Sequence, residues 1–412
     1  MTVDPLAFIR AAHFAATLLA AGTVCFMIFV SVPAKRTPPR LQRQLLALTW
    51  TGLSLTVLTG AAWLFLFVSE LSGEAVSSSY FSNTWSVLVD TRFGWVWSAR
   101  ALLALLLAVL VFSSMLPILQ IVAAAVLLVS PAFIGHAGAT PGLPGDVHLA
   151  SDITHLLAAG AWLGGLPAFV LLLWSARAAD QPVRNFAMRS TRRFSHLAAA
   201  SVNLLFASGI INSVNVLAGL RDLWATDYGR LISLKIGLFA GMTAIGAINR
   251  FYLTPQLPNR AALRNLARFS MAEIGLGICV LLAVGILGRL QPTAHVHASH
   301  SEPPDEAAFV HIHDVEAMAD VTFEPGRTGH VAVTIRVLRE DFSPFPAKAV
   351  RLVLRPPAGG EAFDRPALEG EQGTWTIDHV ELSTGGVWAI QVVVTPQSGK
   401  SIVLDGPIVI DR

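Results

Sequence analysis

Long apolar runs, repeated along the first 289 residues, are the feature that most limits how this chain can fold. Each run has about 20 residues, the length that an α-helix needs to cross a hydrocarbon core of about 30 Å. Since backbone amides find no water there, a chain with such runs crosses the membrane as helices. We predict eight helices, near residues 6–32, 44–68, 94–114, 117–135, 148–174, 193–218, 229–249 and 269–289.

The composition also indicates a membrane protein. Hydrophobic residues make up 53% of the 412 and charged residues 14%, whereas about 25% of a typical soluble domain is charged. The sequence has no nucleic-acid footprint and no ATP-binding G-x4-GK[ST] motif. We predict a multi-pass protein in contact with membrane lipid, with no nucleic-acid partner and no enzymatic activity.

Basic residues collect in alternate loops, and such loops face the cytoplasm. They follow the first, fifth and seventh predicted helices. Their members are Lys35, Arg36, Arg40 and Arg43, then Arg177, Arg184, Arg189, Arg192 and Arg193, then Arg250, Arg260, Arg264 and Arg268. With an even number of helices, this pattern places both termini on the outer side of the membrane.

After Arg289 the sequence changes character. Residues 291–308 are predicted to form a flexible linker that contains three histidines. Residues 309–412 then carry short β-type runs separated by glycine and proline turns, which is typical of a small all-β sandwich of the immunoglobulin-like class. The predicted fold is therefore a mostly α polytopic membrane bundle over residues 1–290, followed by a periplasmic β-sandwich domain.

Four histidines lie near one side of the predicted bundle. His148 and His155 are seven residues apart and share one face of the fifth helix, with His13 at a similar depth in the first. His136 closes the fourth apolar run. Ionisable groups inside a membrane indicate function, and imidazole is the commonest side-chain ligand of transition metals. We predict metal capture at His136 and His148 and a deeper site at His13 and His155, if the two helices meet.

A blander interpretation remains open for these histidines, which could donate hydrogen bonds to backbone carbonyls or serines of neighbouring helices. Other buried polar residues also have structural interpretations. We expect Arg100 and Lys235 to extend to the membrane surface and Glu273 to pair with an arginine.

Histidines recur at the start of the predicted sandwich. His311 and His313 form an H-x-H pair, which places both rings on one side of a strand and suits Cu(II) or Zn(II). The candidates that would complete the site are Asp314, Glu316, Asp320 and His330. A polar, solvated segment without metal is the alternative.

Several segments of residues 1–290 carry a family resemblance: FGWVWSAR (93–100), the pattern H-x6-H-x6-W-x-GG from His148 to Gly165, RFS (193–195), SGIIN (208–212) and YGRLISLKIGLFAGMTAIGAINR (228–250). Together they resemble the copper resistance protein D (CopD) family of bacterial inner-membrane proteins. The resemblance implies an eight-helix core linked to copper tolerance and copper passage across the inner membrane. It also implies mostly His and Met ligands, which here supports His148, His155, His13 and His136.

The last 100 residues resemble the small β-domains of the FixH/YtkA type, on the pattern PAGG…GTWTIDHVEL…GGVWAIQVVV. Such domains are appended to membrane domains in YcnJ-like copper proteins. The resemblance implies a CopC-like periplasmic copper carrier as partner, and the chain contains no recognisable copy of that carrier. Methionines are few, and this departure leaves open whether the copper is Cu(I) or Cu(II).

We therefore predict a copper-binding inner-membrane protein that transports copper across the membrane or delivers it, and so contributes to copper homeostasis and resistance. The alternative is a membrane electron-transfer protein in which paired histidines ligate haem b axially. A structural or sensory protein whose β-domain binds a partner is a third possibility.

Overall fold

The computed structural model describes residues 4–31, 37–72, 84–85, 87–89, 91–114, 116–134, 142–177, 179–217, 219–257, 259–290, 307–313, 317–339, 344–357, 362–370, 373–397 and 400–411. The chain forms two compact units. One comprises Met1–Trp63, Arg100–Ser130 and Ala150–His297; the other comprises Leu64–Ala99, Pro131–Leu149 and Ala298–Arg412.

Helices make up the N-terminal part of the chain. Those within the described ranges are α1 Pro5–Cys25, α2 Pro39–Ser72, α3 Arg92–Ser113, α4 Pro117–Val129, α5 Gly142–Trp162, α6 Leu166–Ala176, α7 Gln181–Val216, α8 Asp222–Ala225, α9 Asp227–Ile248 and α10 Arg260–Leu287. Two π-helical segments, Phe26–Ser31 and Asn249–Leu253, continue α1 and α9.

Local sequence explains where several helices begin. Asp4 precedes α1 and its Oδ1 accepts a hydrogen bond from the backbone N–H of Leu6 at 2.9 Å. Thr226 precedes α9 and accepts from the N–H of Gly229 at 3.0 Å. Asn259 caps α10 in the same way. These side chains satisfy amides that have no partner within the helix.

Among the described residues, seven helical stretches are long and apolar enough to cross a membrane: Pro5–Ser31, Pro39–Glu70, Phe93–Ser113, Gly145–Ala176, Gln181–Val216, Asp227–Gln256 and Arg260–Leu287. A shorter apolar helix, Pro117–Phe133, occupies the place of the predicted fourth span. The chain is a multi-pass membrane protein, and the predicted helical membrane region is confirmed.

The predicted fifth span consists of two helices. α5 ends at Trp162, α6 begins at Leu166, and residues 163–165 form a turn between them. Pro167 lies in the first turn of α6, where a backbone N–H would have no partner within the helix, so proline costs no hydrogen bond there. Hydropathy does not reveal this break, because the turn is as apolar as the helices beside it.

Glycines allow α1 and α5 to approach each other closely. A Cβ on Gly22 would lie 2.1 Å from the carbonyl carbon of Gly164 and 2.5 Å from the carbonyl oxygen of Gly160. Only the hydrogen of glycine fits there, as at other close helix crossings in membranes. The first and fifth predicted spans are therefore in direct contact, as the proposed meeting of His13 and His155 requires.

The C-terminal part forms two antiparallel sheets. The strands are β1 Ala308–His313, β2 Met318–Glu324, β3 Gly329–Leu338, β4 Ala347–Arg355, β5 Phe363–Pro366, β6 Leu368–Glu369, β7 Thr374–Leu382, β8 Gly386–Pro396 and β9 Ile402–Ile410. One sheet has the order β1-β2-β3-β7-β6 and the other β5-β4-β8-β9. Alternate residues of both sheets, such as Phe323, Ile335, Leu352 and Ile390, form one buried core.

The predicted all-β sandwich is thus confirmed, with two short strands that the sequence did not indicate. β5 and β6 lie at sheet edges and are mostly exposed, so they lack the alternation of buried and exposed residues that marks a strand. The predicted linker, residues 291–308, lies outside the described residues except for Ala307 and Ala308. Ala308 already belongs to β1.

Candidate metal site

His155 is held by a serine of the neighbouring helix α7. Its Nδ1 lies 3.0 Å from the Oγ of Ser208. That hydroxyl donates its hydrogen to the carbonyl of Leu204 at 2.7 Å, so it accepts the bond from the imidazole. The neutral ring therefore carries its proton on Nδ1 and its lone pair on Nε2. Within the described ranges no residue is bonded to that Nε2.

Charged and amide groups surround this histidine. Asp152 lies three residues before His155 on α5, and its Oδ1 accepts a hydrogen bond from Nδ2 of Asn212 on α7 at 2.7 Å. Lys235 of α9 interacts electrostatically with both His155 and Asp152. An imidazole nitrogen that has no partner among the described residues is a chemically suitable ligand for a transition-metal cation. We call Asp152, His155, Ser208, Asn212 and Lys235 the His155 cluster.

His13 lies in a different environment, next to a buried arginine. Nε2 of His13 is 2.6 Å from Nη2 of Arg100, and its Nδ1 is 3.0 Å from Oγ1 of Thr59. Arg100 also donates to the carbonyl of Leu127 at 3.0 Å and to the hydroxyl of Ser130. These bonds join α1, α2 and α3 to the end of α4.

The donors in this network fix the state of the ring. A guanidinium can only donate, so Nε2 of His13 accepts from Arg100. Thr59 donates its hydroxyl to the carbonyl of Leu55 at 2.6 Å and therefore accepts from Nδ1. Both nitrogens of His13 are thus in use, and ligation of a metal by Nε2 requires Arg100 to move.

The expectation that Arg100 extends to the membrane surface is wrong. Its side chain is buried, with only 4% of the residue exposed. The reason is that His13, Leu127 and Ser130 supply acceptors from three directions, so the guanidinium is satisfied inside the bundle. Sequence gives no sign of these partners, because they come from other helices.

The predicted arginine partner of Glu273 is also wrong for the part of the chain that the structure describes. Oε2 of Glu273 instead accepts a long hydrogen bond, 3.4 Å, from Nδ2 of Asn249, and no described arginine forms an ion pair with it.

The other predicted ligands of the membrane region are less well defined. His148 is buried and lies seven residues before His155 on α5. His136 lies outside the described residues. Among the residues that the structure describes, no three His, Cys, Asp or Glu side chains form a group that could hold a metal ion.

The β-sandwich places one of its predicted ligands beside a carboxylate. His311 and Asp320 are opposite each other on β1 and β2, and Nδ1 of His311 lies 2.5 Å from Oδ1 of Asp320. Carboxylates commonly orient metal-binding imidazoles in this way. His313 lies two residues further along β1, opposite Met318. Asp314 and Glu316 lie outside the described residues.

His330, the remaining candidate, is exposed on β3 opposite Glu381 of β7.

Sequence reasoning missed Ser208, although a signal was present. Ser208 and Asn212 are four residues apart in SGIIN and so lie on one face of α7. In the structure the two side chains bond to α5, Ser208 to His155 and Asn212 to Asp152. A polar pair at this spacing in an apolar helix predicts contact with polar residues of a neighbouring helix.

Comparison with known families and proteins agrees with this architecture. Residues 1–146 match the family described as copper resistance protein D-like, N-terminal domain, and residues 188–287 match copper resistance protein D. Together the two matches cover more than half of the chain. They include α1 to α4 and α8 to α10, and most of α7.

Three characterised proteins are similar over long alignments. The copper transport protein CutJ of Bacillus subtilis is 27% identical over 93% of this chain and 70% of its own length. The inner membrane protein YebZ of Escherichia coli is 28% identical over 61% of this chain and 84% of its own. Copper resistance protein D of Pseudomonas syringae is 26% identical over 70% of this chain and 97% of its own.

No solved structure matches this chain. The two family matches, the relatives and the multi-pass helical region agree with one another. The chain belongs to the copper resistance protein D family.

Proposed function

We propose that this protein binds copper within its helical bundle and moves it across the membrane or delivers it to a target outside, in the service of copper homeostasis and resistance. The observation that carries the proposal is the open Nε2 of His155, whose Nδ1–H is fixed by Ser208. Copper is proposed as the metal because two relatives are named as a copper transport protein and a copper resistance protein.

The chemistry of the His155 cluster suits copper as cargo. Imidazole nitrogen is a ligand for both Cu(I) and Cu(II), and a ring whose second nitrogen is bonded to the protein is already oriented for binding. Asp152 offsets part of the positive charge that copper brings into the bundle. Lys235 competes for that carboxylate, so bound copper is held weakly enough to be released.

The wider path is proposed from the remaining histidines. Capture begins at His311 and His313 in the β-domain and at His136 and His148, and copper then passes to His155. His13 joins as a ligand when Arg100 releases its Nε2. The sequence has no ATP-binding motif, so passage depends on a gradient or on partners, a CopC-like carrier among them.

This path requires both termini and the β-domain to lie on the periplasmic side, which the basic loops support. An alkaline phosphatase fused after Asp411 should be active, and green fluorescent protein at the same position should be dark. The reverse pattern would place the β-domain in the cytoplasm and remove it from the capture step.

The haem alternative has less support. Axial ligation by two histidines needs two open imidazole nitrogens that face one iron. His13, the predicted partner of His155, has both nitrogens bonded, one of them to a cationic guanidinium.

The proposal is tested by copper flux into proteoliposomes that hold a copper-responsive dye. His155→Ala should abolish flux above empty vesicles. His196→Ala, which removes an exposed imidazole from α7, should keep the wild-type rate. Equal flux in wild type and His155→Ala would show that copper does not pass through this cluster.

A further inference from the structure

A second polar site lies in the bundle, and its described lining includes no histidine. Thr191 on α7, Thr243 on α9, Asn249 in the π-helical segment, and Ser270 and Glu273 on α10 all line one cavity of about 220 Å³. Its other walls are largely apolar and include Trp162 and Phe194. We call it the Glu273 cavity.

Five oxygens of this cavity are buried without a partner. They are Oγ1 of Thr191, Oγ1 of Thr243, Oδ1 of Asn249, Oγ of Ser270 and Oε1 of Glu273, none bonded to any residue that the structure describes. Thr191, Ser270 and Glu273 are at most 2% exposed and Asn249 is 8% exposed. Buried polar atoms are nearly always bonded, and leaving one unpaired is costly. Five in one cavity indicate that a bound ion or water molecules occupy it.

The donor set indicates the kind of ion. All five atoms are oxygens, which suit hard cations, whereas copper prefers nitrogen and sulfur. Glu273 supplies the only carboxylate among the described lining residues, and the one described lining cation, Arg250, bonds to Ser195, so this lining suits a monovalent rather than a divalent cation. We propose that the Glu273 cavity binds one Na⁺ ion, held by the Glu273 carboxylate with neutral oxygens of Asn249, Ser270, Thr191 and Thr243.

Two nearby features fit this assignment. Arg250 also lines the cavity. Its Nη1 donates to the carbonyl and the hydroxyl of Ser195, each at 2.8 Å, and its guanidinium lies over the ring of Phe251. It therefore leaves Oε1 of Glu273 without an arginine partner. Asn249 begins a π-helical segment, a distortion that often occurs where helices form functional sites.

Gly246 provides a steric test of the site. A Cβ there would lie 3.1 Å from Oε1 of Glu273, so alanine would crowd the proposed ligand. Gly241 on the same helix is a matched control, because its Cβ would only touch a methyl of Leu276 at 3.6 Å.

The experiment is equilibrium binding of ²²Na⁺ to the full-length protein in detergent, without copper, together with thermal unfolding in NaCl and in choline chloride. Wild type should bind one Na⁺ per chain and melt at a higher temperature in NaCl. Glu273→Gln should lose both effects, Gly246→Ala should bind at least tenfold more weakly, and Gly241→Ala should match wild type.

The proposal is overturned if wild type binds no Na⁺, which would mean that water alone fills the cavity, or if Glu273→Gln binds Na⁺ as wild type does. If Glu273→Gln does not fold, the comparison of Gly246→Ala with Gly241→Ala still decides, since equal binding by those two also overturns it. Because copper is absent throughout, the result is independent of the proposed copper function.

Discussion

The hydroxyl of Ser208 on α7 accepts a hydrogen bond from the Nδ1–H of His155 on α5 at 3.0 Å, and the lone pair of the ring therefore lies on Nε2. Since the hydroxyl of Ser208 donates its hydrogen to the carbonyl of Leu204 on its own helix, it can only accept a hydrogen bond from the histidine. The imidazole is therefore fixed in the tautomer that a metal needs on Nε2.

Ser208→Ala should weaken copper binding by about tenfold, because partners that orient a ligand are worth about 10–100-fold in metal affinity. Copper affinity is measured by competition with a chelator of known affinity. Ser213→Ala is the matched control, since Ser213 bonds only to the carbonyl of Gly209 on its own helix. An unchanged affinity in Ser208→Ala would mean that this bond does not prepare a ligand.

Arg100→Met should lower thermal stability markedly. The change removes the hydrogen bonds that Arg100 donates to the carbonyl of Leu127, the hydroxyl of Ser130 and Nε2 of His13, and hydrogen bonds to charged groups contribute about 1.5–3 kcal/mol each. Unfolding in detergent, followed by tryptophan fluorescence, measures the loss. Arg192→Met, at an exposed position on α7, should melt like wild type. Equal melting temperatures of the two variants would show that the hydrogen bonds of Arg100 do not stabilise the bundle.

Gly22→Ala should prevent normal packing of α1 against α5. The added methyl would meet the carbonyl carbon of Gly164 at 2.1 Å, and backbone cannot move aside as a flexible side chain does. We expect a loss of about 1–3 kcal/mol, visible as a lower yield of monodisperse protein and a lower melting temperature. Gly275→Ala on α10, which has no atom within 4 Å of its Cβ position, should behave as wild type. A normal Gly22→Ala protein would contradict this helix contact.

His311→Ala and Asp320→Asn should both weaken Cu(II) binding by the β-domain. Asp320 holds Nδ1 of His311, so removing the carboxylate should act through the same ligand. Electron paramagnetic resonance of the full-length protein with substoichiometric Cu(II) reports the change. His330→Ala, exposed on β3, should keep the wild-type spectrum. If all three variants do so, the capture step does not use His311.

The helical region and the β-sandwich were predictable because the local pattern of apolar and polar residues indicates both. Apolar runs mark the spans, and alternation marks strands such as β3. Hydropathy did not show the break at residues 163–165, although Gly164, Gly165 and Pro167 are residues that interrupt helices. Strands β5 and β6 were missed because they are short and exposed.

The candidate site was only partly predictable for a related reason. Sequence singled out His155 and His13 as costly residues in a membrane, but their difference depends on partners from other helices. Ser208 leaves one ring with an open nitrogen, and Arg100 occupies the other. Such partners are far apart in sequence. The spacing of Ser208 and Asn212 indicates a polar face on α7, but it does not identify the residues that this face contacts.

The most direct test of the central claim is metal analysis, with a visible absorption spectrum and copper K-edge X-ray absorption, of the full-length protein purified in detergent. We expect bound copper with nitrogen ligands, no Soret band, and loss of a copper equivalent in His155→Ala but not in His196→Ala. Copper retained unchanged in His155→Ala would contradict the assignment of the site, and a Soret band that sharpens on reduction would contradict copper as its ligand.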